Sequence, residues 1–327
     1  MTSESEATKA PPPIKAVPVR HPLRWVSGAI VLVFVAMVVN SFVENSRYSW
    51  GDQWHYAFTR PILDGVVTTL ELTGAAMAIG VIGGIALATA RLSSNPILST
   101  VSWFYIWVFR GTPVLVQIVL WFDLAYLEPH LSIGIPFGPT FSTASTVKVI
   151  PALTEAILGL GLNEAAYMAE IVRAGLLSVD EGQSEAARAL GMSGPLTLRR
   201  IVLPQAMRFI VPPTGNETIS MLKTSSLAAF IAVPELFQQS QNVINRTYET
   251  VPLLLMASIW YLAVTSVLTV GQFYLERYYG RGAYRYAQRA TLPERLWQAL
   301  RYRRPSAHEP SHEGDEPPPS SAGQVHR

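Results

Sequence analysis

The chain has 327 residues, 49% of them hydrophobic and only 15% charged, with a mean hydropathy of +0.25. Ordinary soluble domains carry about 25% charged residues, so this composition excludes both a disordered chain and a generic soluble protein. The 25 Lys and Arg against 23 Asp and Glu leave a formal net charge of +2, too little for a nucleic-acid footprint. The absence of cysteine excludes disulfides, thiolate catalysis and cysteine-bound metals.

Residues 1–24 are polar and rich in proline (Pro11, Pro12, Pro13, Pro18 and Pro22). Such a segment buries too little apolar surface to fold, and a disordered leader is expected. Trp25 to Val43 is an apolar block long enough to span, with no A-x-A cleavage pattern after it. It is expected to stay as a membrane helix, with residues 25–61 forming that helix and an outer loop. Further apolar blocks run from Ile62 to Thr89, Ile97 to Leu127, Ile150 to Leu177, Met207 to Val233 and Pro252 to Tyr274, giving an expectation of six spans. The third opens on aromatics and is interrupted at Arg110, Gly111 and Pro113, which predicts an elbow before the true span. Glu128 to Val149, rich in Pro, Gly, Ser and Thr, reads as an outer loop or short surface helix.

Cations set the expected orientation. With the leader inside, residues 1–24, 91–110, 173–208 and 277–327 hold 20 of the 25 Lys and Arg, and the outer segments hold four. That asymmetry predicts both termini in the cytoplasm. Residues 279–327 form a basic tail. Within Arg277 to Arg304, Leu292, Leu296, Trp297 and Leu300 recur at helical spacing; a helix on anionic headgroups and a plain set of inside-facing charges fit equally.

Between the fourth and fifth blocks the chain turns soluble over residues 178–206. Ser178 is a candidate cap, Asp180 and Glu181 suit a helix N-terminus, and Gly191 a left-handed stop, so a helix of three turns or fewer is predicted. Ala186, Ala187 and Ala189 leave little bulk beside Glu185 and Arg188, a surface that fits closely into a groove on another protein. A second helix is expected from Pro195, broken or kinked at Pro204.

The run EAARALG followed by IVLPQA, Glu185 to Ala206, resembles the EAA loop of ABC importer permeases. RGTPVLVQ (Arg110 to Gln117), AAYMAEIVRAGLLSVDEGQ (Ala165 to Gln183), LPQAMRFIVPPTGN and MLKTSSL (Leu203 to Leu227) resemble the polar amino acid uptake branch. The match runs in order from about Gly65 to Arg277. It implies an all-α polytopic membrane protein with a five-helix permease domain, residues 62–278, plus the N-terminal helix, in the bacterial inner membrane. The resemblance implies docking on a separate ATPase through Glu185, Ala186, Ala187, Arg188, Leu190, Gly191, Leu203 and Pro204. ATP and Mg would be bound by that ATPase, and none by this chain. It further implies a second permease chain, identical or similar, an extracytoplasmic amino-acid-binding protein, and surrounding lipids.

The residues themselves support a transport role without catalysis. None of the four lysines (Lys9, Lys15, Lys148 and Lys223) sits in a phosphate-binding GxxxxGK[ST] loop, and the six histidines lack metal spacing. Gly80 and Gly84 read as a helix-packing pair. Polar groups inside the bilayer are costly and should face a partner or a cavity. Helical spacing places Asn163, Tyr167, Glu170 and Ala174 on one stripe, and Asn216, Ser220, Lys223 and Leu227 on another. These line a route for a zwitterion, or form structural pairs such as Glu170 with Arg173. The resemblance extends the route to Thr224, Ser225 and Ser226. The rival readings are a stand-alone secondary transporter or channel, which does not account for the Ala-rich helix, and a membrane sensor or scaffold using the basic tail.

Overall fold

The structure is a computed structural model that describes residues 22–45, 48, 50–135 and 138–279. Most of the leader, and the tail beyond Tyr279 with its surface-helix reading, lie outside the described residues. Helix α1 (Pro22–Glu44) is apolar all round, and none of its 20-residue membrane-length stretch is buried within the molecule. A helix without a polar face has lipid as its natural solvent. Helix α2 (Trp50–Ala57) leads into α3 (Arg60–Arg91), whose 32 residues extend about 48 Å.

Helix α4 (Pro96–Gly111) starts with proline in its first turn, and Asn95 accepts a cap bond from Ile97 N at 2.9 Å. It breaks at Thr112–Pro113, and α5 (Val114–Phe122) leaves at 101°. The elbow is where the sequence places it, because Pro113 has no N–H to continue the helix. After the short α6 (Leu124–Leu127), the outer segment departs from the loop expected of it. It folds as an antiparallel hairpin of β1 (His130–Gly134) and β2 (Thr140–Ser145), followed by α7 (Thr146–Val149). The run Thr140 to Ser145 alternates β-favouring residues with small ones, a weak pattern that Pro and Gly nearby obscure.

Helix α8 (Ala152–Leu177) is the central element, lined along most of its length by buried residues. It carries four charged residues, Glu155, Glu164, Glu170 and Arg173, as many as the longer α3 with Arg60, Asp64, Glu71 and Arg91. Burial in protein makes this possible. A Cβ on Gly80 would overlap Glu164, and one on Gly84 would overlap Met168. The pair lets α3 and α8 approach closely, the packing role expected of it.

The polar segment after α8 comprises α9 (Glu181–Ala189), α10 (Gly194–Thr197) and a π-turn over Leu198–Val202. Helix α11 (Leu203–Thr224) then passes through Pro212 and Pro213 as one helix. The irregularity expected at Pro204 takes the form of this π-turn: Pro204 has no N–H to donate one turn back, and Leu203 N, just before it, reaches five residues back to Leu198 O. Pro212 and Pro213 do not interrupt the helix; Gln272 Nε2 reaches Pro212 O at 3.5 Å from the neighbouring span.

A 3-10 segment, Ser225–Ile231, ends at Ala232 in the left-handed region (φ 58°). Helix α12 (Leu236–Thr247), absent from the expected elements, turns back at 47°, and α13 (Thr250–Tyr279) completes the described fold. Glu235 fixes this turn. Its carboxylate, fully buried, accepts from Phe237 N (2.9 Å), Gln238 N (2.7 Å) and Tyr261 Oη (2.8 Å), while Leu236 N donates to Thr69 Oγ1 (3.1 Å). Three elements, α3, α12 and α13, are thereby tied at one point.

Candidate functional site

The right-angled break between α4 and α5 leaves carbonyls at the end of α4 without helical donors. Gln117 Nε2 lies within donating distance of Phe109 O (2.9 Å), Thr112 O (3.1 Å) and Thr112 Oγ1 (2.7 Å). Asn163 Nδ2, from α8, donates to Phe109 O (2.9 Å) and Gln117 Oε1 (3.1 Å). These bonds hold the elbow open, and beside it is a polar cleft of about 250 Å³. Its walls are Thr112 to Val114 at the elbow, Asn163, Glu164 and Tyr167 on α8, and Glu217, Ser220 and Thr224 on α11.

Two carboxylates face this space. Glu164 is only 4% exposed, and its Oε1 has no hydrogen-bond partner among the described residues. Glu217 lies close enough for its charge to act on Glu164, and Arg110 close enough to act on Glu217. Arg110 also sits over the Tyr167 ring, 5.1 Å from its centroid, a cation–π contact. A buried carboxyl oxygen without a partner is unfavourable, so this position of the cleft has room for a hydrogen-bond donor from a bound molecule.

The structure divides the residues read as one route. Asn163, Tyr167, Ser220 and Thr224 line the cleft. Glu170 does not; it pairs with Arg173 at 2.7 Å. Asn216 Oδ1 accepts from Gln272 on α13 at 3.0 Å, and Lys223 is exposed outside the cleft. Ser225 Oγ and Ser226 Oγ donate back to Leu222 O and Lys223 O in the 3-10 segment. On α11 the cleft takes Glu217, Ser220, Met221 and Thr224, a stripe rotated from the expected one by one residue, about 100°. Glu164 and Glu217 were therefore missed. Their signal was present as two carboxylates within apolar blocks, but spacing alone does not fix the rotation of a helix.

At the coupling segment the helix begins at Asp180, not Ser178: Asp180 Oδ1 accepts from Gly182 N at 2.9 Å. Ser178 instead ends α8, its Oγ donating to Gly175 O at 2.7 Å. Gly191, at φ 78°, stops α9 as expected, its N–H reaching Arg188 O (2.9 Å) while Met192 N reaches Ala187 O (3.1 Å). Ala187 packs inward, whereas Glu185, Ala186, Arg188 and Leu190 are exposed, Leu190 at 83%. Leu203 and Pro204 are also exposed.

Residues 80–280 match the family described as the binding-protein-dependent transport system inner membrane component. Among curated proteins, the arginine transport system permease protein ArgU of Corynebacterium glutamicum is 46% identical over 297 residues, 90% of each chain. The nopaline transport system permease protein NocM of Agrobacterium fabrum is 38% identical, covering 64% of this chain and 83% of its own. Among solved structures, an amino acid ABC transporter with histidines aligns with a TM-score of 0.58 at 34% identity, covering 67% of this chain and 94% of that one. The MetNI methionine transporter, at 18% identity and TM-score 0.54, shares the fold.

The chain belongs to this family of ABC transporter permeases. Within it, the chain is a transmembrane permease subunit of an ABC importer, and the relatives it matches are permeases named for amino acid transport. Membership implies an ATPase in a separate subunit and a second permease chain.

Proposed function

We propose that the imported solute is a basic amino acid, arginine first, and that it passes through the polar cleft at the α4–α5 elbow. The observation that supports this is the charge pattern: Glu164 and Glu217 with Arg110 nearby. Two carboxylates and one guanidinium complement the two cationic groups and the single carboxylate of arginine. A neutral amino acid would leave one carboxylate unmatched. The 46% identity to a permease named for arginine transport agrees.

In this reading an extracytoplasmic binding protein delivers the solute, and ATP with Mg is held by the ATPase alone. Both termini lie in the cytoplasm in this reading, the orientation that the distribution of Lys and Arg favours. Glu185 to Gly191, with Leu203 and Pro204, forms the surface gripped by the ATPase. Its movement passes through the π-turn at Leu198–Val202 into α11, which carries Glu217. Permease domain 62–278 thus works by conformational change, with residues 25–61 as an addition to it.

The test is uptake of radiolabelled arginine, lysine, histidine and glutamine into proteoliposomes holding the permease, ATPase and binding protein. Arginine uptake that exceeds glutamine uptake and requires ATP is the expected result. Equal uptake of glutamine would remove the cationic assignment, and uptake driven by an ion gradient without ATP would favour the stand-alone transporter.

A further inference from the structure

A second, larger cavity of about 470 Å³ opens between α3, α8, α11 and α13, at the end of the bundle that carries the coupling segment. Its chemistry is opposite to that of the cleft. The walls include Ile85, Val172, Leu198, Met207, Val211 and Leu275. The threonines there are not free polar groups: Thr89, Thr214 and Thr218 each donate to a carbonyl of their own helix, at 2.7, 2.8 and 2.9 Å. That leaves methyl groups to dominate the surface. Such a groove does not suit a zwitterion, which would lose its hydration without gaining partners.

The groove also has a direction. Along α11 it runs from Leu203 to Thr218, 15 residues or about 22 Å, against about 15 Å for the hydrocarbon of one leaflet. Near the Leu203 end, arginines adjoin the lining residues in sequence: Arg199 and Arg200 follow Leu198, and Arg208 follows Met207, while Arg277 lies two residues beyond Leu275 on α13. All four are exposed, and none forms an ion pair among the described residues. An apolar slot that exceeds the hydrocarbon depth of one leaflet, with exposed arginines next to its lining residues, matches a molecule with an apolar chain and an anionic head.

We infer that this groove is a binding site for an anionic phospholipid, one acyl chain lying along α11 and the phosphate held at Arg199 and Arg200. The site spans the π-turn that joins the coupling segment to α11. The bound lipid therefore stiffens the path along which ATPase movement would travel. The inference holds whichever amino acid is carried, so it can fail or stand apart from the arginine assignment.

The unmutated permease–ATPase complex is reconstituted in nanodiscs containing phosphatidylglycerol with a photoreactive diazirine near the end of one acyl chain. The phosphatidylcholine analogue at the same mole fraction serves as control. After irradiation, adducts are mapped by peptide mass spectrometry. The expected result is labelling of peptides containing Ile85, Val211 and Thr214, about tenfold stronger with phosphatidylglycerol, falling to the phosphatidylcholine level in R199A/R200A. Equal labelling by the two lipids overturns the headgroup assignment. Labelling confined to outward positions such as Val267 overturns the site. Efficient disulfide formation between copies of a Thr214→Cys permease also overturns it, making the groove an interface between two permeases.

Discussion

Glu217 and Glu164 define the cleft by charge, and each can be tested by removing charge at nearly constant volume. Glu217→Gln is expected to lower arginine uptake about tenfold or more, given about 1.5–3 kcal/mol for a hydrogen bond to a charged group, while glutamine uptake changes little. The readout is the ratio of the two rates in proteoliposomes. A larger loss from Lys223→Ala than from Glu217→Gln would instead return the route to the stripe of Asn216, Ser220 and Lys223. Glu235 has a structural role by contrast. Tyr261→Phe removes one of its three hydrogen bonds and should lower the thermal midpoint of the purified permease, at a cost of about 1.5–3 kcal/mol. Unchanged melting would show that the α3–α12–α13 tie is not held by this carboxylate.

Helix α9 is short and polar, so its stability and position depend on its ends. Gly191→Pro removes the N–H that bonds Arg188 O and cannot take φ 78°. The expected outcome is normal membrane insertion with loss of ATPase co-purification and of ATP-driven uptake. Glu185→Arg, an exposed change, should do the same without disturbing the cap. Full uptake by both variants would remove α9 from the coupling role. The α3–α8 contact is the opposite kind of element, decided by closeness. Gly84→Val places carbon against Met168 and Ala169, and overpacking of this sort costs about 1–3 kcal/mol. Reduced yield of folded permease in membranes is expected, measured by fluorescence size-exclusion of a tagged chain.

At the scale of the molecule, periodicity and composition were enough to locate every long apolar helix, the elbow at Pro113 and the stop at Gly191. These depend on local chemistry: hydrocarbon requires about 20 apolar residues, proline lacks a donor, and glycine alone tolerates φ 78° readily. The ordered motifs from Arg110 to Leu227 likewise carried the family. What the chain in isolation left open was rotation and depth. Whether α11 turns Asn216 or Glu217 toward α8 depends on packing by Gln272 on one side and the elbow residues on the other, contacts between segments 50 or more residues apart. The β-hairpin, α12 and the π-turn were equally hidden: the hairpin has a weak strand pattern, α12 is placed by bonds to Thr69 and Tyr261 far away in the chain, and the π-turn differs from an α-helix only in its backbone bonding. The amino-acid sequence by itself determined which segments form the long apolar helices and which family they build; the tertiary structure decided which carboxylates share the cleft and where an apolar groove lies open, because only packing sets the direction in which a helix faces.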